Sequence, residues 1–293
     1  ILSDVEFTLN GIYSTMQSSD AYSGRLVYYG DVTGDDMQAV SSTKRVANYY
    51  RFNFTKDDNP SSHWSYLYSI IQNCNLILMN IDKLVIDEDD KAYRDDLKGE
   101  ALAIRGLALF DLTRIFGYPY LKDNGASLGV PIIEGLSTID SKPTRNTVAQ
   151  CYTKIIDDLT QSLSLLGEKF NKGKINKWGA MVLLSRVYLY KGENANALKM
   201  ASDAIIGAEK NKYALWTNED YPTAWGEDAS ASKPGEVLFE IVNLTTDSPG
   251  KESMGYLNSY DGYDDMCITC SFYQFLKEDP KDIRLKLLSF DKK

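Results

Sequence analysis

Residues 180–208 read AMVLLSRVYLYKGENANALKMASDAIIGA, and this stretch decides the fold class. Hydrophobic residues at the 3.6-residue period predict helices over 180–190 and 195–208, joined by a tight connection at 191–193. The stretch follows the register of a 34-residue helix–turn–helix repeat, with Met181, Leu184, Ser185 and Tyr188 on the first helix and Ala197, Ala201 and Ala204 on the second. Because alanine side chains let two helices approach closely, the sequence predicts a packed helical pair.

Outward from this pair, the same period predicts further helices, over about 4–18, 64–81, 97–116 and 147–166. Two of them begin with a capping box, in which a Ser or Thr precedes a Glu or Gln by three residues: Ser3 with Glu6, and Thr147 with Gln150. The pair at 180–208 is of the tetratricopeptide type. The helices at 97–116 and 147–166 are interpreted as an earlier pair, interrupted by an insertion at 117–146.

The helix at 97–116 is apolar on almost every side, which is typical of a helix buried in a core. Three of its charged residues, Glu100, Asp111 and Arg114, fall within one narrow sector at about 100° per residue. We interpret them as a buried salt bridge. A catalytic carboxylate pair is the alternative, but two residues eleven apart on a helix lie roughly 16 Å apart.

Two short extended segments are expected among the loops. Tyr50, Phe52 and Phe54 alternate with polar residues, as strand residues do. Residues 236–242 read EVLFEIV, a run that predicts a strand.

Composition restricts the partners and the chemistry. Asp plus Glu outnumber Lys plus Arg by 41 to 32, so the formal net charge of −9 gives no general attraction for nucleic acid or anionic lipid. The chain has a single histidine, His63, which all but excludes mechanisms that need two. We expect His63 to cap a helix or to lie on the surface, and we expect no cofactor.

Cys267 and Cys270 have the CxxC spacing of some metal and redox sites. A structural zinc site needs four ligands, and no second pair is spaced to supply them, so free or paired structural thiols are the interpretation. The acidic pairs at 35–36 and 264–265 lie outside any regular calcium-binding loop. We interpret each pair as a solvated acidic turn and expect no metal.

Aromatic residues gather in two loop zones, 28–59 and 213–263, of a chain with 20 Tyr, 10 Phe and 4 Trp. Flat rings cover the apolar faces of sugars, while Asp, Asn and Arg bond the hydroxyl rim. Loops on a rigid helical frame often carry binding residues. The alternative is that these rings only seal the loops onto the helices. The GxSxG, HExxH and P-loop motifs of familiar enzymes are missing from the sequence.

Four blocks of the chain resemble SusD/RagB-like proteins and follow the order expected of that family. They are Trp64-x3-Tyr68-x2-Ile71-x3-Asn75; Gly99-Glu-Ala-Leu-Ala-Ile-Arg105 running to Arg114-Ile-Phe-Gly-Tyr-Pro-Tyr120; Thr144-Arg145-x-Thr147-Val148 with Ile155-x2-Asp158-Leu159; and Ala180-x2-Leu-Leu-x-Arg186-Val-Tyr-Leu-Tyr190. Residues 236–241 and the pair Asp282-x-Arg284 also resemble later family segments. The resemblance covers nearly the whole chain.

The resemblance implies an all-α fold of tetratricopeptide-like helical pairs, an α/α superhelix, with long loop insertions and a few short strands forming a ligand face. It implies a single domain over 1–293 that lacks an N-terminal lipid-anchor segment and a C-terminal helical pair. Family members are lipid-anchored on the outer membrane of Gram-negative bacteria and face outwards. They capture a glycan, an oligosaccharide or another nutrient and deliver it to a SusC-like TonB-dependent transporter, without enzymatic activity.

Binding residues vary in this family, so the resemblance implies regions rather than a strict motif. Those regions are the loop before the helix that carries Trp64 and the segment after the second repeat. We expect glycan contacts from Asp36, Tyr50, Phe54, Asn59, Trp225, Tyr256, Tyr260 and Tyr263, and no catalytic residue.

Two other functions stay open on the residues alone. A tetratricopeptide scaffold would hold a peptide in its concave groove, and its exposed aromatic residues would lie along the inner helices. A glycoside hydrolase would need a carboxylate pair, and no two of the plentiful carboxylates are marked as one.

Overall fold

The structure is a computed structural model that describes residues 1–53, 61–138, 140–169, 171, 173–225 and 235–289. The α-helices are α1 (Leu2–Met16), α2 (Arg25–Val32), α3 (Ala47–Tyr50), α4 (Ser61–Asn80), α5 (Lys91–Phe116), α6 (Val148–Leu165), α7 (Lys177–Lys191), α8 (Asn194–Lys210), α9 (Tyr221–Ala224), α10 (Met254–Asn258) and α11 (Cys270–Lys277). Short 3₁₀ helices cover Ile81–Lys83, Glu88–Asp90, Tyr120–Lys122, Thr245–Asp247, Gly250–Glu252 and Ile283–Leu287. The strands are β1 (Met37–Ala39) and β2 (Met266–Ile268). The predicted all-α fold class is confirmed.

The chain divides into two compact units. Unit 1 comprises Ile1–Thr15, Trp64–Ala214 and Ser232–Glu240, and unit 2 comprises Met16–His63, Leu215–Ala231 and Ile241–Lys293. Unit 1 contains the long helices α5 to α8, and unit 2 contains the strands and short helices. The single domain over 1–293 stays a prediction.

In unit 1, α5 packs against α6, α6 against α7 and α7 against α8. The helical pair predicted at 180–208 is therefore confirmed as α7 and α8. Gly192 ends α7 at a φ of 83°, a left-handed conformation that glycine adopts without steric cost. Across the pair, the Ser185 hydroxyl donates to the carbonyl oxygen of Ala197 at 2.8 Å. Ala197 and Ala204 are buried, as the small-residue pattern predicts.

The α5 helix is buried as predicted, and its buried carboxylates Glu100 and Asp111 have different partners. Asp111 forms the predicted ion pair with Arg114, one turn further along the helix, but Arg114 is exposed, so the pair is only partly buried. Glu100 does not belong to that bridge, and the prediction is wrong for it. Its carboxylate instead accepts a hydrogen bond of 2.8 Å from the phenol of Tyr13 in α1. The position of Glu100 on its own helix gave no sign of a partner 87 residues earlier in the chain.

Unit 2 is built around an antiparallel strand pair from distant parts of the chain, with Met37 opposite Ile268 and Ala39 opposite Met266. A buried cluster accompanies it, formed by Tyr28, Val32, Val46, Leu257 and Met266. Neither strand was predicted, because three residues are too few for an alternating pattern to stand out.

Neither of the two predicted extended segments is a strand over its described residues. Tyr50 ends the short helix α3, and Phe52 has a φ of 54°, so the chain turns here. Residues 236–242 are not a strand. The carbonyl oxygen of Leu238 accepts from the Asn176 side chain at 2.6 Å, and no neighbouring strand lies beside this segment in the part of the chain that the structure describes.

Predictions at three helix starts had different outcomes. The α1 helix begins at Leu2, so Ser3 lies inside it and cannot cap it. His63 is 1% exposed rather than on the surface, and its ring contacts that of Tyr29 edge-on at 5.9 Å. The capping box that starts α6 is confirmed, because Thr147 and Gln150 each accept from the other's backbone nitrogen.

All four cysteines are free thiols: Cys74 and Cys151 are buried, Cys267 is half-buried and Cys270 is exposed. Over the described ranges, no helix has both the length and the apolar character to cross a membrane.

Candidate functional site

Unit 2 contains an open pocket with a volume of about 820 Å³, within the range of small-ligand sites. It is lined by Met37, Asn258, Tyr260, Asp261, Asp264, Met266, Cys267, Ile268, Thr269, Cys270, Tyr273, Leu287, Leu288 and Ser289. We call it the unit 2 pocket. Its walls come from the turn after α10, from β2 with Met37 of β1, from the start of α11 and from the end of the 3₁₀ helix Ile283–Leu287 with the two residues after it.

The start of α11 is fixed by Thr269, which lines the pocket. Its hydroxyl accepts from the backbone nitrogen of Phe272 at 3.2 Å and so caps the helix. The same residue is tied to the segment before β1, because its nitrogen donates to the Asp36 carbonyl oxygen at 2.9 Å and its hydroxyl to that of Asp35 at 2.8 Å. These hydrogen bonds tie the segment after β2 to the segment before β1 and so hold this wall of the pocket in place.

The residue types that line the unit 2 pocket match those that bind sugars. Tyr260 and Tyr273 offer aromatic surface, and Tyr260 is 51% exposed. Hydrogen-bonding groups of Asn258, Asp261, Asp264 and Thr269 line the same pocket. An aromatic wall beside a polar rim can cover one face of a sugar ring and bond its hydroxyls.

Tyr256 and Tyr263, two of the predicted contacts, are engaged with other side chains of unit 2. Their rings meet edge-to-face at 5.2 Å, and the Arg45 guanidinium lies 3.8 Å from the centre of the Tyr263 ring. Arg45 is also within 3.2 Å of the buried Asp265 carboxylate. The interpretation of 264–265 as a solvated acidic turn is therefore wrong for Asp265, because its charge is compensated inside unit 2.

Trp225 belongs to a second aromatic group in unit 2. Its ring lies 5.2 Å from Trp216 and 5.7 Å from Tyr221, edge-on to both. The helix α9, which carries Tyr221, packs against the 3₁₀ helix Ile283–Leu287, whose last residue lines the unit 2 pocket. Trp225 is 58% exposed, so this group also offers aromatic surface.

The remaining predicted residues have separate positions. Asp36 is exposed at the segment before β1, and its charge adds to the effect of burial in raising the pKa of Asp31. Tyr50 is 40% exposed at the end of α3 and is not among the described residues that line the pocket. Phe54 and Asn59 lie outside the described residues. All six described members of the predicted set belong to unit 2.

Tyr273, Asp261 and Asn258 line the unit 2 pocket but were not among the predicted contacts. A signal for Tyr273 was present in the sequence, where 271–277 reads SFYQFLK and supplies more aromatic residues than one buried helix face needs. Leu276 is the one buried residue of α11, and Phe275 is 59% exposed.

The two cysteines of the CxxC motif lie at the unit 2 pocket. Cys267 and Cys270 both line it, but across the described residues no group of three or more His, Cys, Asp or Glu could hold a metal ion. The Cys267 sulfur instead lies 3.6 Å from the side-chain nitrogen of Gln38 on β1.

A second groove, of about 560 Å³, lies in unit 1 beside Trp64 and Tyr68. Much of the Trp64 ring is already engaged there. It lies 4.9 Å from the Tyr68 ring, 5.0 Å from Phe116 and 5.4 Å from the Arg145 guanidinium. The unit 2 pocket is therefore the better candidate for stacking against a ligand.

Comparisons with known proteins identify the family. Residues 3–189 match the SusD-like family model described as "Starch-binding associating with outer membrane". A crystal structure from Bacteroides vulgatus, assigned provisionally as sugar-binding, is 82% identical with a TM-score of 0.97 over 100% of this chain. A SusD superfamily structure from the same species is 38% identical with a TM-score of 0.92, also over 100% of this chain. A curated SusD-like protein of Bacteroides ovatus is 27% identical over 135 residues, or 45% of this chain.

The matched parts cover 65% and 66% of those two solved chains and 23% of the curated relative. This chain thus spans at most about two-thirds of the length of these relatives. On the family match, which extends over more than half of its residues, the chain belongs to the SusD-like family.

Proposed function

We propose that this chain is the glycan-binding part of an outward-facing, lipid-anchored protein of the outer membrane. It captures an oligosaccharide and delivers it to a SusC-like TonB-dependent transporter, without breaking the sugar. The observation that carries the proposal is the unit 2 pocket, where Tyr260 and Tyr273 stand beside a rim of hydrogen-bonding side chains. Family membership supports a carbohydrate ligand and an outer-membrane location.

The distribution of aromatic residues also supports a glycan ligand over a peptide held by the helical repeats. The exposed rings of Tyr260 and Trp225 lie in loops and short elements of unit 2. On the helical pair of α7 and α8, Tyr190 is exposed, but its ring also packs against Phe110 at 5.5 Å. A peptide groove would need such rings in a row along the inner helices.

Calorimetry with maltohexaose, laminarihexaose and cellohexaose tests sugar capture. We expect saturable binding of at least one of them, weakened by Tyr273→Ala and unchanged in the control Tyr190→Ala. Because one aromatic ring contributes about 0.5–1.5 kcal/mol, the loss for Tyr273→Ala should be roughly threefold to tenfold. Equal effects of both variants, or no binding of any of the three sugars, would contradict glycan capture by this pocket.

Delivery needs a separate test in cells. We expect the membrane-anchored protein to co-purify with a TonB-dependent transporter after gentle solubilisation. Cells that lack the protein should take up less of the labelled oligosaccharide than cells that carry it. Free reducing ends should not accumulate when the purified protein is incubated with the sugar. Their release would contradict the proposal that the protein binds without catalysis.

A further inference from the structure

The turn after α10 separates two sets of side chains with different tasks. It is fixed by backbone hydrogen bonds, from Tyr263 nitrogen to Tyr256 oxygen at 2.9 Å and from Asp265 nitrogen to Leu257 oxygen at 2.9 Å. At Gly262 a side-chain Cβ would come within 2.0 Å of the Tyr256 carbonyl oxygen, so only glycine fits there. The turn is thus held in one conformation by its own backbone.

One set of side chains contacts other residues of unit 2 and includes a cation, Arg45. Asp265 is buried, and Arg45 pairs with it at 3.2 Å and with Glu252 at 3.1 Å. The same guanidinium covers the ring of Tyr263. The Arg45 charge is therefore shared between two carboxylates that do not line the pocket.

The other set lines the unit 2 pocket and carries only negative charge. Asp261 and Asp264 line it together with Tyr260, and none of the described lining residues is a lysine, arginine or histidine. No ion pair recorded among the described residues involves either carboxylate. Two lysines of unit 2 make other contacts: Lys44 donates to the Tyr263 carbonyl oxygen at 2.6 Å, and Lys277 lies 5.3 Å from the centre of the Tyr273 ring.

We propose that the unit 2 pocket selects its glycan by charge, accepting neutral or amino-bearing oligosaccharides and rejecting those that carry carboxylate or sulfate groups. The inference rests on the proposed function and adds the class of sugar. Asp261 and Asp264 accept hydrogen bonds from hydroxyl or ammonium groups, but they repel an anionic group brought to the same place. The formal net charge of −9 acts in the same direction.

The expected discrimination follows from Coulomb's law. Two carboxylates about 6 Å from an anionic group in a water-like medium weaken its binding roughly tenfold. Salt screens exposed charges, so the discrimination should be larger at low ionic strength and smaller at high ionic strength. Discrimination by shape alone would not depend on salt.

The test compares a sugar with its own charged derivative. Calorimetry would measure maltohexaose, laminarihexaose and cellohexaose, each beside the form whose primary hydroxyls have been oxidised to carboxylates. For any neutral sugar that binds, we expect its oxidised form to bind roughly tenfold more weakly at low salt. The variant Asp261→Asn with Asp264→Asn should bring the two affinities close together. Asparagine keeps the shape and one acceptor oxygen while it replaces the other oxygen by a donor, and it tolerates the positive φ of 48° at position 264.

A matched control removes a carboxylate elsewhere in unit 2. Asp247→Asn, in the 3₁₀ helix Thr245–Asp247, changes net charge without touching the pocket lining and should leave the discrimination in place. If the oxidised sugars bind as tightly as the neutral ones, or if the pocket variant keeps the full discrimination, charge selection is overturned while glycan capture stands. If no neutral sugar binds, glycan capture itself fails, and charge selection fails with it.

Discussion

Arg105 binds the carboxylate of Asp158 through two nitrogens, with Nε 2.7 Å from one oxygen and Nη2 2.7 Å from the other. Its third nitrogen donates to the side-chain oxygen of Asn75 at 2.8 Å, and Lys154 lies 3.1 Å from the same carboxylate. Asp158 is fully buried. The network joins α4, α5 and α6 of unit 1, and two-nitrogen binding of this kind fixes direction as well as distance.

Replacing Asp158 by alanine should destabilise the protein strongly. The change leaves the Arg105 guanidinium buried with one polar partner fewer, and removing one member of a buried pair costs about 3–5 kcal/mol. Denaturant unfolding of the purified protein would measure the loss. The control is Asp95→Ala, which removes the partner of Arg94 from a pair whose side chains are 25% and 34% exposed. That change should cost about 1 kcal/mol or less. Similar losses for both variants would argue against a structural role for the buried network.

Glu100 should make stability depend on pH. Burial is the main reason that its pKa is raised from 4.5 to about 7, although the Tyr13 hydrogen bond opposes the shift. Between those two values the folded chain keeps a proton that the unfolded chain has lost. The stability due to this proton is therefore complete below about pH 4.5 and is lost as pH rises through about 7.

The variant Glu100→Gln isolates this effect. Its stability relative to the parent should rise by up to about 3 kcal/mol between about pH 5 and pH 8, because glutamine cannot ionise. Unfolding curves of both proteins across that range would show it. A difference that stays constant with pH would mean that Glu100 does not titrate in this range.

Gly207 should not tolerate even a methyl group. A Cβ there would lie 2.0 Å from the ring of Trp178, which is buried between α7 and α8 together with Ala208. Gly207→Ala should therefore lower the free energy of unfolding by roughly 1–3 kcal/mol, despite the better helix propensity of alanine. Gly11 offers a matched control, since it lies in α1 with nothing within 4 Å of the added Cβ. Gly11→Ala should raise stability by about 1 kcal/mol. A gain at both positions would contradict the close packing at Gly207.

The helices could be predicted because their signals are local. The 3.6-residue period placed α5 to α8, and the Thr147 capping box is made by residues three apart. The sequence did not show what depends on distant partners. Glu100 accepts a hydrogen bond from Tyr13, and β1 pairs with β2, which lies more than two hundred residues later in the chain. Residues 236–242 have the composition of a strand, but here the Leu238 carbonyl oxygen accepts a hydrogen bond from the Asn176 side chain and the segment does not pair with a strand.

For the candidate site, too, local features could be predicted and contacts with distant residues could not. Tyrosines in the second loop zone could be recognised by composition, since a ring in a loop is a reasonable sugar contact. Which ring lines the pocket and which one is covered by Arg45 depends on the turn of 256–265. Tyr260 and Tyr263 are three residues apart and similar in sequence context, but Arg45 covers only one of them. Arg45 comes from a segment more than two hundred residues earlier, so no local pattern could separate the two tyrosines.

Tyr263 and Tyr260 should therefore separate stability from binding. Tyr263→Ala removes a ring that packs against both Arg45 and Tyr256, so we expect a loss of roughly 1–3 kcal/mol in the free energy of unfolding. Tyr260→Ala removes a ring that is 51% exposed and lines the pocket, so stability should change by about 1 kcal/mol or less. Affinity for the bound oligosaccharide should fall roughly threefold to tenfold in Tyr260→Ala. Unfolding curves and calorimetry on the same preparations decide the matter. If Tyr263→Ala loses affinity at unchanged stability while Tyr260→Ala loses neither, the two roles are reversed and the ligand contacts the opposite side of the turn.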